Sequence, residues 1–204
     1  MDKRISRKYF NEHAACWDEM VKTNNPQKLR ALAERLSISK ESWVLDVGTG
    51  TGVFIPYIQK SVNHSGKIFS MDYALNMLSV ARQKNGKGNV CYVCAEIESL
   101  RFSKSIFDVV VCYSTFPHFH DKQRALRNIY ELLKPSGWIY ICHTASRERI
   151  NSIHQAISDL KDHLLPEREE MTKLLECAGF QQILVEELHD SYLACGTKEI
   201  LTGG

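Results

Sequence analysis

Trp43-Val44-Leu45-Asp46-Val47-Gly48-Thr49-Gly50-Thr51-Gly52 is a short apolar run closed by three glycines at alternate positions. The run has the length and composition of a strand buried on both faces. Val53 to Gln59, beyond the glycines, begins an apolar helix. Strand, glycine turn and helix in that order open an alternating α/β sheet. A tight strand-to-helix junction alone needs one glycine or two. Three at alternate positions let the backbone come close to a ligand where any Cβ would stand in the way. Asp46, Gly48, Thr49, Gly50 and Gly52 are therefore read as a ligand cradle.

Downstream, the pattern of strand and helix repeats. Lys67 to Met71 reads as a second strand and Ala74 to Lys84 as a helix stopped at Asn85-Gly86. Val90 to Cys94 is a third strand, and Phe107 to Cys112 is the most β-rich run and so a central one. A helix from Asp121 to Leu133 leads through the turn Lys134-Pro135-Ser136-Gly137 into a fifth strand, Trp138 to Cys142. Helices are expected over Arg147 to Leu164 and Glu167 to Cys177. The runs Gln182 to Glu187 and Ser191 to Gly196, parted by Leu188-His189-Asp190, have hairpin spacing and are expected as an antiparallel edge pair. Upstream, a helical pattern from Phe10 to Leu36 is broken at Asn24-Asn25-Pro26, which predicts two short helices before the sheet. The fold expected is α/β: a doubly wound sheet of five parallel strands plus a C-terminal antiparallel hairpin, with helices on both faces.

Bulk properties agree with one core-burying unit. The chain has 204 residues, 44% hydrophobic and 25% charged, which disfavours disorder and disulfide miniproteins. Twenty-six Lys and Arg face 24 Asp and Glu, giving +2 with the signs interspersed, so no nucleic-acid or membrane-surface partner is expected. The longest apolar stretches fall far short of the ~18 to 20 residues of a membrane span. The basic start Met1 to Arg7 is followed by no apolar segment of a signal peptide. Of seven cysteines, Cys91, Cys94, Cys112 and Cys142 lie in strand-like segments and are read as reduced core thiols. Together these place the protein in the cytoplasm, as a monomer or homodimer.

A second acid, Asp72, ends the second strand 20 residues after Gly52, where doubly wound folds set a carboxylate on ribose hydroxyls. Asp72 can also cap the helix that follows. Two cofactor classes compete for this arrangement. A nicotinamide dinucleotide needs G-x-G-x-x-G, the third glycine lying where the helix meets pyrophosphate; here the spacing is G-x-G-x-G, with Phe54 and Ile55 at that approach. With Asp46 in front, the loop resembles motif I of the class I S-adenosylmethionine-dependent methyltransferases.

The resemblance covers about residues 10 to 143. Ala95-Glu96-Ile97-Glu98-Ser99-Leu100-Arg101-Phe102 is similar to the family's acidic segment after the third strand, although Glu96 stands for the usual Asp and Arg101 for the usual Pro. Phe107 to Ser114 resembles its fourth strand, and Ala125 to Gly137 its "AL..I...LKPGG" helix and turn. The resemblance is nearest the small-molecule branch that includes the ubiquinone/menaquinone and arsenite methyltransferases. It implies a Rossmann-like single domain: residues 1–40 a helical lid, 41–145 the cofactor-binding core, 146–204 the substrate-side helices and hairpin. It also implies S-adenosyl-L-methionine as cofactor and methyl transfer to a small-molecule acceptor. Glu96 would then take the adenine amine and Ile97 pack on the ring, with Tyr73 and Cys112 completing the cofactor contacts. The alternative for Glu96 is a solvated loop carboxylate. The aromatics of Tyr9 to Asp18 would close over the cofactor.

Acceptor-side candidates come from loops at the carboxyl ends of the strands. Tyr113 and His143 are the catalytic candidates, His143 as base or orienting group because imidazole titrates near the working pH; a half-buried or capping histidine is the alternative. His13, His118 and His154 are candidate substrate contacts. Ser146 and Arg147 could hold an anionic substrate group, or Ser146 only cap a helix. Ser114-Thr115-Phe116-Pro117 is not the amide- or base-methylating motif of the family. No metal is expected: His118-Phe119-His120 offers two ligands without a third, and Cys91 and Cys94 point to opposite faces of a strand. The rival functions are a non-catalytic S-adenosylmethionine-binding protein with a closed substrate cavity and an NAD-dependent oxidoreductase.

Overall fold

The computed structural model describes residues 3–21, 25–86, 88–100 and 105–199. Seven strands form one sheet: β1 (Trp43–Val47), β2 (Lys67–Asp72), β3 (Val90–Cys94), β4 (Phe107–Tyr113), β5 (Leu133–His143), β6 (Gln181–Leu188) and β7 (Ser191–Thr197). Their order is β3-β2-β1-β4-β5-β7-β6. The first five are parallel, β7 runs antiparallel to β5, and β6 antiparallel to β7. The expected sheet and its C-terminal hairpin are present. One detail differs: the hairpin folds back so that β7 lies inside the sheet and only β6 is an edge. Residues Ser191 to Thr197 can occupy that interior place because six of the seven are buried.

Helices cover both faces: α3 (Pro26–Glu34), α4 (Ile55–Ser61), α5 (Leu75–Asn85), α6 (Lys122–Leu132) and α8 (Arg168–Cys177). Side chains of a strand alternate between faces, and the core divides accordingly. Leu45, Val110, Ile139 and Ile141 pack with Leu126, Ile129 and Met171 of α6 and α8. Val44, Val109, Val111 and Tyr140 pack with Leu29, Ile55, Ile58 and Ala81 of α3, α4 and α5. Asn25 caps α3 by accepting from Gln27 and Lys28 N–H, and Asp121 caps α6 by accepting from Arg124 N–H, each interaction of a kind worth about 1 kcal/mol. Asn24 lies outside the described residues.

Three expectations are corrected. The N-terminal segment holds three helices rather than two, since the chain breaks at 14–16 between α1 (Lys3–His13) and α2 (Trp17–Met20). The expected turn at Lys134 to Gly137 is an excursion inside β5, across which the register jumps from Phe107↔Leu133 to Val109↔Trp138. The helix expected to reach Leu164 stops early as α7 (Arg147–Gln155). It stops because Asn151 takes both backbone groups of Leu165, accepting from its N–H at 2.8 Å and donating to its carbonyl at 3.1 Å. That clamp folds 156–165 back and buries Leu160 against Phe10, Ala14, Ala74 and Met77. Among the cysteines, Cys112, Cys142 and Cys195 are buried, whereas Cys91 and Cys94 on the edge strand β3 are exposed; all are free.

Candidate active site

The three glycines of the loop all have positive φ, near +67°, +54° and +77°, but they face different things. A Cβ on Gly48 would overlap the Thr115 side chain, and one on Gly52 would come within 2.9 Å of Ala81 Cβ. A Cβ on Gly50 would meet nothing within 4 Å. Gly48 and Gly52 are thus required by the protein's own packing, and Gly50 alone looks onto open space. The loop is fixed from below: Thr49 N–H donates to the Met71 carbonyl at 2.9 Å, and Thr49 Oγ1 to Asp46 at 2.6 Å. Asp46 is enclosed, and burial raises its carboxyl to about 7 against the pull of the Thr49 hydroxyl. Asp72 accepts from Gly50 N–H at 2.9 Å and Ala74 N–H at 2.8 Å. Burial raises its carboxyl to about 6 in spite of those amides. A carboxylate has roughly four acceptor positions, so the backbone amides of Gly50, Tyr73 and Ala74 leave Asp72 with acceptor capacity to spare.

From Gly48 a trough runs both ways along the carboxyl ends of the strands. Toward β3 it narrows to a cavity of about 50 Å³ walled by Asp72, Tyr73, Glu96, Ile97 and Thr115. Glu96 is half-buried and accepts from Ser99 Oγ at 3.1 Å; Arg101 and Phe102 of the same segment lie outside the described residues. Toward β5 lies a cavity of about 370 Å³ that shares Gly48 and His118 with the smaller one and is lined by Thr49 and Gly50 as well. The first turn of α4 is closed to ligand, because Phe54 and Ile55 are 2% and 0% exposed.

The walls of the larger cavity come from the ends of β4 and β5, from α7 and from the N-terminal helices. Tyr113 stacks on Phe54 with ring centroids 4.7 Å apart, and its hydroxyl pairs with Thr144 Oγ1 at 3.0 Å. Ser114 follows at φ +51°, a strained position for a non-glycine residue. Tyr9 and Trp17 close the top. Phe10 beside them contacts Tyr73 and His118 edge-on. This N-terminal layer is pinned at two places. Asn11 accepts from Asn76 N–H at 2.9 Å, while the Asn76 amide donates to the Asn11 carbonyl; Asp18 accepts from Thr51 Oγ1 and pairs with Lys84. Burial keeps the nearby histidines neutral: His118 is held well below its usual value and His163 at about 4. Their Nδ1 atoms lie 2.8 Å apart, so one ring donates and the other accepts. Among the described residues, no group of three or more His, Cys, Asp or Glu side chains is placed to hold a metal ion.

A methyltransferase domain model matches residues 45–141, from β1 to β5, a span that holds Gly48, Gly50, Asp72, Glu96 and Tyr113 but not the N-terminal and α7 walls of the larger cavity. The chain is 28% identical over 165 residues to the malonyl-[acyl-carrier protein] O-methyltransferase of Bacillus cereus, covering 79% of this chain and 60% of that protein. It is 35% identical over 109 residues to the ubiquinone/menaquinone biosynthesis C-methyltransferase UbiE of Wigglesworthia glossinidia brevipalpis, covering 52% and 44%. Through β1 to β5 the chain is thus similar to methyltransferases. The fold agrees: a SAM dependent methyltransferase from Aquifex aeolicus superposes with a TM-score of 0.71 at 22% identity, over 88% of this chain and 97% of that one. The chain spans only about half the length of the curated relatives it matches.

Within this methyltransferase frame the trough brings together Gly48, Thr49, Gly50, Asp72, Tyr73, Glu96 and Ile97 on one side, and Tyr113, His118, His143 and His154 on the other. Seven expectations fail. Asp46 and Gly52 are buried and line none of the cavities described above, Asp46 bracing Thr49 and Gly52 packing on Ala81. Cys112 is fully buried in the core facing α6, so no ligand reaches its thiol. His13 turns back on its own helix, Nδ1 donating to the Tyr9 carbonyl at 2.8 Å, and lines none of the cavities described above. Ser146 is the N-cap of α7, accepting from Arg149 N–H. Arg147 faces β6, where Glu187 holds it at 3.0 Å with Glu148 and Glu167 beside it. His143 lines the cavity at 3% exposure, yet burial and His154 lower it to about 3 and its Nε2 is enclosed without a partner; it does not titrate near neutral pH. His163, and Arg149 at the mouth of the larger cavity, line the site and were not singled out from the sequence. Arg149 was detectable, since Arg149, Ile150, Ile153, His154 and Ile157 have the spacing of one helix face.

Proposed function

We propose that this chain binds S-adenosylmethionine along the trough and transfers its methyl group to a small-molecule acceptor seated in the larger cavity. One observation carries the reading: a cavity of about 370 Å³ lies beside Gly48, Thr49 and Gly50, walled also by the ends of β4 and β5 and by α7, room that a binding protein without an acceptor would not need. The residues fit the cofactor. Asp72 has acceptor positions left for ribose hydroxyls, Ile97 and Tyr73 offer flat apolar contact to an adenine ring, Glu96 an acceptor for its amine, and the space beside Gly50 admits a methionine tail. The buried first turn of α4 offers no seat for a pyrophosphate, which disfavours a nicotinamide dinucleotide.

S-adenosylmethionine supplies an electrophilic methyl on a sulfonium, and the chemistry is the cofactor's own. The chain's contribution is alignment and exclusion of water. Tyr113 and Thr144 present a hydroxyl pair to the acceptor, and residues 1–40 act as the lid through Tyr9, Phe10 and Trp17. His143 shapes the wall, because a base held near pH 3 takes up protons poorly at neutral pH. No helix among the described residues is long and apolar enough to cross a membrane; the proposal places the protein in the cytoplasm, as a monomer or homodimer. The test is mass spectrometry of pooled small molecules incubated with methyl-labelled cofactor. A labelled product supports the reading. A protein that binds the cofactor and labels nothing from a broad pool favours the non-catalytic alternative.

A further inference from the structure

Among the described residues, Arg149 is the one Lys, Arg, Asp or Glu that lines the acceptor cavity. The apolar wall of the cavity includes Trp17, Ile150, Ile153 and Ile157. Arg149 stands at the mouth, exposed, on the face of α7 that also carries Ile150 and Ile153. The neighbouring arginine shows what an ordinary surface environment does here: two residues away, Arg147 is surrounded by Glu187, Glu148 and Glu167. Arg149 has no carboxylate partner among the described residues. An arginine fork presents paired donors that match a carboxylate or another planar oxyanion.

We propose that Arg149 is a specificity-determining residue and that the acceptor is an apolar small molecule carrying an anionic group, the anion at Arg149 and the apolar body inside the cavity against α7 and Trp17. This deepens the methyltransferase reading and rests on it. The geometry also separates anchoring from reaction, since Arg149 is at the solvent end and the Tyr113–Thr144 hydroxyl pair is at the end shared with the glycine loop. The neutral histidines His118, His143 and His154 add no competing positive charge, so among the described residues the preference for an anion falls to Arg149.

Calorimetry of the full chain saturated with S-adenosylhomocysteine tests this with octanoate and 4-phenylbutanoate as probes, and 1-octanol and octylamine as uncharged and cationic counterparts. The acids should bind roughly 10-fold tighter than 1-octanol, the worth of one partly solvated charge-assisted contact. Arg149→Gln should bring the acids to the level of 1-octanol, while Arg147→Gln leaves the preference intact. The proposal is overturned if the alcohol or amine binds as well as the acids, if none of the probes binds, or if Arg149→Gln changes nothing. S-adenosylhomocysteine is first titrated into the chain by itself: failure of that product to bind defeats the methyltransferase reading, and is distinguishable from failure of the acid preference.

Discussion

The two ends of the site are built in different ways. The cofactor end is backbone architecture: strand ends and short loops, braced by Thr49 N–H on the Met71 carbonyl and Gly50 N–H on Asp72. The acceptor end is assembled largely from side chains of separate helical pieces, α1, α2, α7 and the fold-back at 156–165, held by a few side-chain contacts such as Asp18 to Thr51 and Lys84 and Asn151 to Leu165. The first arrangement suits a ligand that is always the same. The second can be changed piece by piece without disturbing the sheet, which is what a fold serving many acceptors requires.

Substitutions at the glycines should break the comparison most sharply. Gly48→Val drives a branched side chain into Thr115 at a left-handed backbone position and should cost about 3 kcal/mol or more in denaturant unfolding. Gly50→Val meets no protein atom, so it should cost only about 1–2 kcal/mol for its backbone conformation while abolishing cofactor binding. If the two variants lose equal stability, the division between a packing glycine and a ligand glycine is wrong.

Asp72→Ala should weaken S-adenosylmethionine by roughly 10- to 100-fold, since contacts to a charged group are worth ~1.5–3 kcal/mol, with the far-ultraviolet spectrum unchanged. The binding also has a pH signature. Because Asp72 is raised to about 6, it takes up a proton and loses acceptor capacity as pH falls through that value, so affinity should decline from pH 8 to 5. Asp72→Asn, measured by the same titrations, should bind weakly and without that slope.

Stability against pH probes the buried carboxyls directly. Asp46 is raised from 3.8 to about 7, so the folded state binds the extra proton, and stability is lost as pH rises from about 4 through 7. Asp46→Asn should remove that decline, making the variant gain relative to the parent with rising pH in urea melts. His143 has the opposite sign: lowered from 6.5 to about 3, it contributes stability that is lost as pH falls from 6.5 toward 3. The smallest effect is expected on catalysis. His143→Ala should lower kcat by less than about 10-fold, with no change in the neutral limb of the pH–rate profile. A 10²- to 10⁴-fold loss, the usual effect of removing a base, would restore the base reading.

This division explains what could be read in advance. The β1 glycine loop, Asp72 and Glu96–Ile97 were legible because strand ends and turns write their requirements into adjacent residues. Tyr113 was legible by its place at the end of β4. Arg147 was misread for Arg149 because the sequence does not show that Glu187, forty positions on, draws Arg147 to β6. Cys112 was misassigned because its place on the strand does not say which face meets ligand until the sheet order is known. His143 was misjudged since its titration depends on burial by β7, whose insertion beside β5 is a tertiary fact. His163 was lost inside a helix that Asn151 ends early.

The central claim is that the trough across Gly48, Gly50 and Asp72 is an S-adenosylmethionine site. Calorimetric titration of the unmodified chain with S-adenosylmethionine, S-adenosylhomocysteine and NAD, paired with thermal melts, tests it most directly. The account predicts saturable one-site binding of the first two, with stabilisation of about 2.7 kcal/mol at a hundredfold excess over Kd, and no shift with NAD. Equal or larger stabilisation by NAD, or binding of S-adenosylmethionine that Gly50→Val leaves unchanged, would contradict it.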